Sequence, residues 1–210
     1  MSDTTTLPAP AQRELRRTTM EFGMWVFLTT ETLFFGVLFF AYLIMRLRYA
    51  DGFAAASRHT NMLLGTLNTA VLLTSSVTMA IAVDAAKIGR ARLCAMLLSS
   101  TAVLGIVFLA IKGYEYHAEY VQHLFPGNGF EAVSVAGMQT FFWLYFVMTG
   151  FHALHLLIGV ALVALMAARV RSGAFVAQSP ASIDNAGLYW HFVDIVWIFM
   201  YPALYLVARS

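Results

Sequence analysis

Five apolar runs decide what this chain can fold into, because each reaches the roughly 20 residues a helix needs to cross a bilayer core. They cover about Phe22–Met45, Met62–Val83, Leu93–Ile111, Met138–Ala168 and Gly187–Val207 of a 210-residue sequence. The runs are continuous rather than alternating, which favours helices over the strands of a membrane barrel. A helix also satisfies its backbone N–H and C=O groups internally where no water is present. Composition agrees: 60% of residues are hydrophobic and 11% charged, against about 45–50% and about 25% in soluble domains. That balance excludes a disordered chain, a coiled coil and a nucleic-acid-binding module. The connecting pieces are too short for an extramembrane enzyme domain. The expected fold is all-α: a polytopic membrane protein with five transmembrane helices in one bundle, at about 22–45, 62–83, 93–116, 138–168 and 187–207. A polar tail over 1–20 precedes a single membrane domain over 21–210.

The tail resembles neither a signal peptide nor a cleavage site, and the first run is too long for a signal core. Lys and Arg in short loops set orientation. One side holds Arg13, Arg16, Arg17, Lys87, Arg90, Arg92, Arg169 and Arg171, eight in all. The other holds Arg46, Arg48, Arg58, Lys112 and Arg209, five in all. The bias places the N-terminus inside and the C-terminus outside. The segment YEYHAEYVQHLFPGNGF (114–130) reads as an interfacial outer loop, rich in Tyr and ending in a turn. A docking surface is its alternative. Cys94 is the single cysteine, so no intrachain disulfide and no thiolate metal cluster form.

Ionisable residues inside such spans carry the functional information. Glu31 lies nine residues into the first run, roughly 13 Å along a helix rising 1.5 Å per residue. Facing lipid while ionised would be costly, so it faces a neighbouring helix, stays protonated or reaches a wet cleft. Thr29, Thr30 and Thr32 flank it. A hydrogen-bonded structural acid and a residue tied to proton movement or lipid headgroups are equally open. His152 and His155 are i,i+3 on one helical face. With His191 they form a weak candidate for haem or metal, but interhelical hydrogen bonding is the favoured role, and no metal site is expected. His191 and Asp194 are also i,i+3, a spacing at which pairing would lessen the cost of burying both. Trp190 and Trp197 share one side of that helix. Asn68, Thr69, Thr74, Ser75, Ser76 and Thr78 suit bonding across helices, with pore lining as the alternative. The small pairs Gly65/Thr69 and Thr149/Ala153 allow close helix approach. The runs Phe34-Phe35, Phe39-Phe40 and Phe141-Phe142-Trp143 suit a lipid-facing or protein-facing surface. No nucleophile, phosphate loop or thiol stands near the His-Asp pair, so no catalytic residue is assigned.

Motifs in all five runs are similar to those of subunit III of the haem-copper oxidase superfamily, in its short five-helix form. They are WVFLTTETLFF (25–35), LNTAVLLTSS (67–76), GIVFLAIKGYEY (105–116) and the bipartite GFHALHLLIG (150–159) with YWHFVDIVWIFMY (189–201). The resemblance covers about residues 20–207. It implies a non-catalytic accessory subunit beside the catalytic subunit I, touching subunit II and small subunits of the same complex. The larger family form has two further helices before the equivalent of this first span. The resemblance implies a cleft holding phospholipid, no haem or copper bound by this chain, and both cofactors in partner subunits. It also implies a bacterial cytoplasmic membrane and support for proton uptake while O2 is reduced to water. By motif position, Glu31 resembles the family's buried glutamate beside the cleft, with Thr30 next to it. His155, His191 and Asp194 resemble residues of the packing core, and Glu115 the acid that ends the third helix. Asn68, Ser75, Gly150, His152 and Gly159 are expected to pack helices. Rival readings are the related subunit of a nitric oxide reductase, a quinol-oxidase subunit, a small proton-coupled transporter using Glu31, His152 and His191, and a haem-bearing anchor.

Overall fold

The computed structural model describes residues 9–126, 135–173 and 180–206. Among them six helices follow one another: α1 Ala9–Arg48, α2 Ala50–His59, α3 Met62–Lys87, α4 Ala91–Val121, α5 Met138–Arg171 and α6 Pro180–Tyr205. Four of these (α1 from Thr18, then α3, α4 and α5) are long and apolar enough to cross a membrane. The protein is therefore an all-α, multi-pass membrane bundle. The fifth expected span is α6, 26 residues long. It carries His191 and Asp194 among its tyrosines and tryptophans.

Local chemistry sets the helix ends. Asn61 caps α3, its side-chain oxygen accepting from the Leu63 and Leu64 amides at 3.1 and 3.2 Å. At the other end Gly89 takes a left-handed φ of 73°. The Arg90 amide there reaches the Ala85 carbonyl at 2.9 Å, and the Gly89 amide reaches Ala86 at 3.1 Å. That doubly bonded helix stop turns the chain into α4 within three residues. α4 ends the same way, with His123 at φ 54° in the glycine place and Leu124 N bonding Glu119 O at 3.0 Å. α6 opens on Pro180, tolerated there because a first-turn N–H has no helical partner.

Several expectations need correction. The segment between the first two expected spans contains the helix α2, whose Phe53 is fully buried against Tyr42 and Phe141. Helix α1 begins at Ala9, inside the stretch read as a polar tail. Helix α4 runs on to Val121, so residues 114–121 are helical, not loop, and Glu115 does not end the helix. Lys112 is buried and leaves the loop-charge count, which becomes eight against four. The Pro-Gly-Asn-Gly turn falls beyond the described residues after Pro126. The aromatic runs do not act as blocks either: Phe35, Phe141 and Phe142 are buried, while Phe34, Phe40 and Trp143 are exposed.

Helices α3 to α6 form a closed square in which α3 packs on α4 and α6, and α5 packs on α4 and α6. The interior is aromatic. Trp190 and Trp197 of α6 are buried and donate their indole N–H groups to Ser75 Oγ at 3.1 Å and Thr69 Oγ1 at 3.0 Å on α3. Those bonds remove the penalty of an unpaired N–H in the core. Gly105 and Gly159 make room for the rings. A Cβ on Gly159 would lie 3.3 Å from Trp190, and one on Gly105 would lie 2.8 Å from Trp190 and 2.6 Å from Val160. Gly150 has no such neighbour, the nearest atom being the Tyr116 hydroxyl at 4.0 Å, so close packing does not explain it.

Helix α1 lies outside the square, against α5, α6 and α2. Its buried residues Leu28, Phe35 and Tyr42 recur every seven positions, a single seam. The Tyr42 hydroxyl donates to the Ala203 carbonyl at the α2 end of that seam. The rest of α1 exposes large apolar side chains, among them Trp25, Leu33, Val37 and Phe40.

Candidate functional site

Glu31 sits on the α1 seam, three residues after Leu28 and four before Phe35. That spacing aims its side chain at α5. Its Oε2 lies 3.0 Å from His155 Nε2. The other imidazole nitrogen, Nδ1, is 2.8 Å from the Phe151 carbonyl. A carbonyl only accepts, so Nδ1 carries a hydrogen. One further proton then serves the contact between Nε2 and Oε2, as acid plus imidazole or as carboxylate plus imidazolium. The pair is a proton-sharing contact in either form. Phe34 and Phe35 pack on the imidazole, and the Tyr189 hydroxyl donates to the His155 carbonyl at 2.9 Å. The two side chains keep 13% and 20% of their exposure, so the pair sits at the edge of the bundle rather than in its centre.

The remaining expected residues divide among different places. Thr30 is exposed and bonds only the Phe27 carbonyl of its own helix at 2.7 Å, apart from the Glu31 contact. His191 does not pair with Asp194: its Nδ1 is 2.8 Å from Ser76 Oγ, and neither Asp194 oxygen has a hydrogen-bond partner. His152, one turn from His155, points into the core between Phe108 and Trp197 with both nitrogens unpartnered. Asn68 is fully buried with its amide unpartnered, while Ser75 is buried and accepts from Trp190. Among the described residues no three His, Cys, Asp or Glu side chains converge as a metal would require. Cys94 is buried.

A second cluster went unseen at the level of sequence. Lys112 and Glu115 of α4 are both buried, and Nζ lies 2.9 Å from Glu115 Oε2. The ammonium also donates to the hydroxyls of Tyr145 at 2.8 Å and Tyr205 at 2.6 Å. Tyr205 in turn donates to Glu115 Oε1 at 2.8 Å. The rings of Tyr116, Tyr145, Trp197 and Tyr205 surround Nζ, with centroids 4.7 to 5.5 Å away. This cage joins α4, α5 and α6 through one cation. The signal was present in the spacing: Lys112, Glu115 and Glu119 are i, i+3 and i+7, one helical face. Reading them as loop charges hid it.

Comparison with known proteins follows the same map. The family described as cytochrome c oxidase subunit III matches residues 10–209. A cytochrome c oxidase subunit 3 of Thermostichus vulcanus is 34% identical over 188 residues, 89% of this chain and 87% of that protein. One of Alkalihalophilus pseudofirmus is 31% identical over 186 residues, 89% of this chain and 85% of that protein. The Salmo salar protein of the same description is 31% identical over 202 residues, 93% of this chain and 70% of its own length.

Proposed function

Because the chain belongs to the cytochrome c oxidase subunit III family, we propose that it works by holding helices and lipid beside a catalytic partner and by supporting proton uptake there. It is a non-catalytic accessory subunit of a haem-copper oxidase, and association with the oxidase's subunits I and II follows from the family. Subunit I is the main contact, with subunit II and small subunits also touched, and the apolar outer face of α1 suits such a protein neighbour or lipid. Phospholipid lies in the cleft beside α1. The membrane is a bacterial cytoplasmic membrane with the N-terminus inside, and α6 is the fifth span. The chain forms one membrane domain.

The observation that carries the proton reading is the Glu31–His155 contact, a proton-sharing pair in a mostly apolar setting between α1 and α5. Glu31→Gln and Glu31→Ala, measured for turnover and for inactivation during turnover in the purified complex, test it. Slower turnover and faster inactivation are expected. Unchanged values in both variants would remove the proton role and leave a structural one. The family description favours the oxidase over the nitric oxide reductase subunit and the stand-alone transporter. The haem content of the purified complex separates the first two, and the co-purifying subunits separate the third.

A further inference from the structure

The cluster around Lys112 contains one cation and two carboxylates, and hydrogen-bond accounting treats the two acids differently. All three ammonium protons of Lys112 are committed: to Glu115 Oε2, to the Tyr145 hydroxyl and to the Tyr205 hydroxyl. Tyr205 gives its own proton to Glu115 Oε1. The Tyr145 hydroxyl lies 3.3 Å from that of Tyr205. Glu115 is thereby held by two donors, one of them charged, as an ionised acid should be. Glu119, one turn further along the same face, is 4% exposed, and neither of its carboxyl oxygens has a hydrogen-bond partner. Lys112 and Glu115 lie within electrostatic reach of it, and the Tyr145 hydroxyl is its one side-chain hydrogen-bonding neighbour, short of full hydrogen-bond contact. A carboxylate buried with no charged donor of its own, next to another carboxylate, is costly in a protein interior.

We propose that Glu119 is a proton-binding site: it carries a proton as a neutral carboxylic acid while Lys112 and Glu115 form the ionised pair beside it. The groups facing the site are Lys112, Glu115 and Tyr116 of α4, Tyr145 of α5 and Tyr205 of α6. They contribute a single cation, and that cation is spent on Glu115. As an acid, Glu119 gains an O–H for the Tyr145 hydroxyl beside it. Uptake of one proton converts its carboxylate to carboxylic acid, and release returns the proton to water at the end of α4. That end is two residues away, at Val121, followed by the exposed Gln122 and His123. The site is separate from the Glu31–His155 pair and stands whichever oxidase the chain serves.

Infrared spectroscopy of the purified complex in H2O and D2O tests the assignment through the carbonyl band of protonated carboxyl groups. Glu119→Gln should remove one deuterium-sensitive carboxylic-acid band, and Glu115→Gln should leave that band in place. Retention of the band in Glu119→Gln, or its loss in Glu115→Gln instead, would overturn the proposal. Should Glu119→Gln not assemble, Glu119→Asp keeps the acid and should displace the band; an unmoved band would equally overturn it. Co-purification of the other oxidase subunits reports separately on the functional reading.

Discussion

One proton between His155 Nε2 and Glu31 Oε2, 3.0 Å apart, couples two residues 124 positions apart in the chain. Removing either partner leaves the other in a mostly apolar setting, so the two losses should not add. A double-mutant cycle with Glu31→Gln and His155→Gln, read as thermal stability in detergent, should give a coupling of about 0.5–1.5 kcal/mol, at the low end for contacting residues because the pair is partly exposed. A coupling near zero would make the contact incidental. Lys112 is a different case. It is 3% exposed and fully satisfied, so Lys112→Met strands Glu115 in the core. Breaking a buried pair in this way costs about 3–5 kcal/mol. The double variant Lys112→Met/Glu115→Gln should cost less than the single one, measured as the drop in melting temperature. Of these two sites, Glu31 was legible in the sequence, because a carboxylate in the middle of an apolar run stands out. Lys112 was not, because it lies near the end of its run, where charges ordinarily sit in loops.

At the scale of the element, two glycines mark where packed helices meet the α6 ring, and α1 has none of that kind. α4 and α5 meet the Trp190 ring of α6 at Gly105 and Gly159. Gly105→Ala places a methyl 2.6 Å from Val160 Cγ2, and overpacking of this kind costs about 1–3 kcal/mol. A methyl carbon added at Gly23 or Gly36 on α1 would meet nothing within 4 Å, so Gly36→Ala should change stability by less than about 0.5 kcal/mol. Comparing the melting temperatures of Gly105→Ala and Gly36→Ala checks the contrast; equal losses would place α1 inside the packed square. The existence of the long helices was readable from apolar length alone. The helix α2 was not, since ten residues with small and charged side chains carry no span signal, and its burial depends on Phe53 meeting Tyr42 and Phe141 from other helices.

For the whole molecule, orientation and lateral arrangement rest on different forces. In the proposed topology, orientation follows the basic residues at the span ends. In a Cys94→Ser background, a membrane-impermeant maleimide should label Arg58→Cys from the outer face of intact cells and Arg92→Cys only after permeabilisation; the reverse pattern would invert the topology. The sequence by itself determined that this chain is a membrane bundle, where its long helices lie, and which family it resembles. These depend on length, composition and local motif, all of which survive in one dimension. Only the tertiary structure decided that α1 stands outside a four-helix square, that Glu31 meets His155 rather than His191 or Asp194, and that Lys112, Glu115 and Glu119 are interior. The physical reason is the solvent. In a bilayer both the lipid-facing and the protein-facing sides of a helix are apolar, so hydrophobic periodicity does not say which side is buried. The few polar side chains find their partners only when the helices come together.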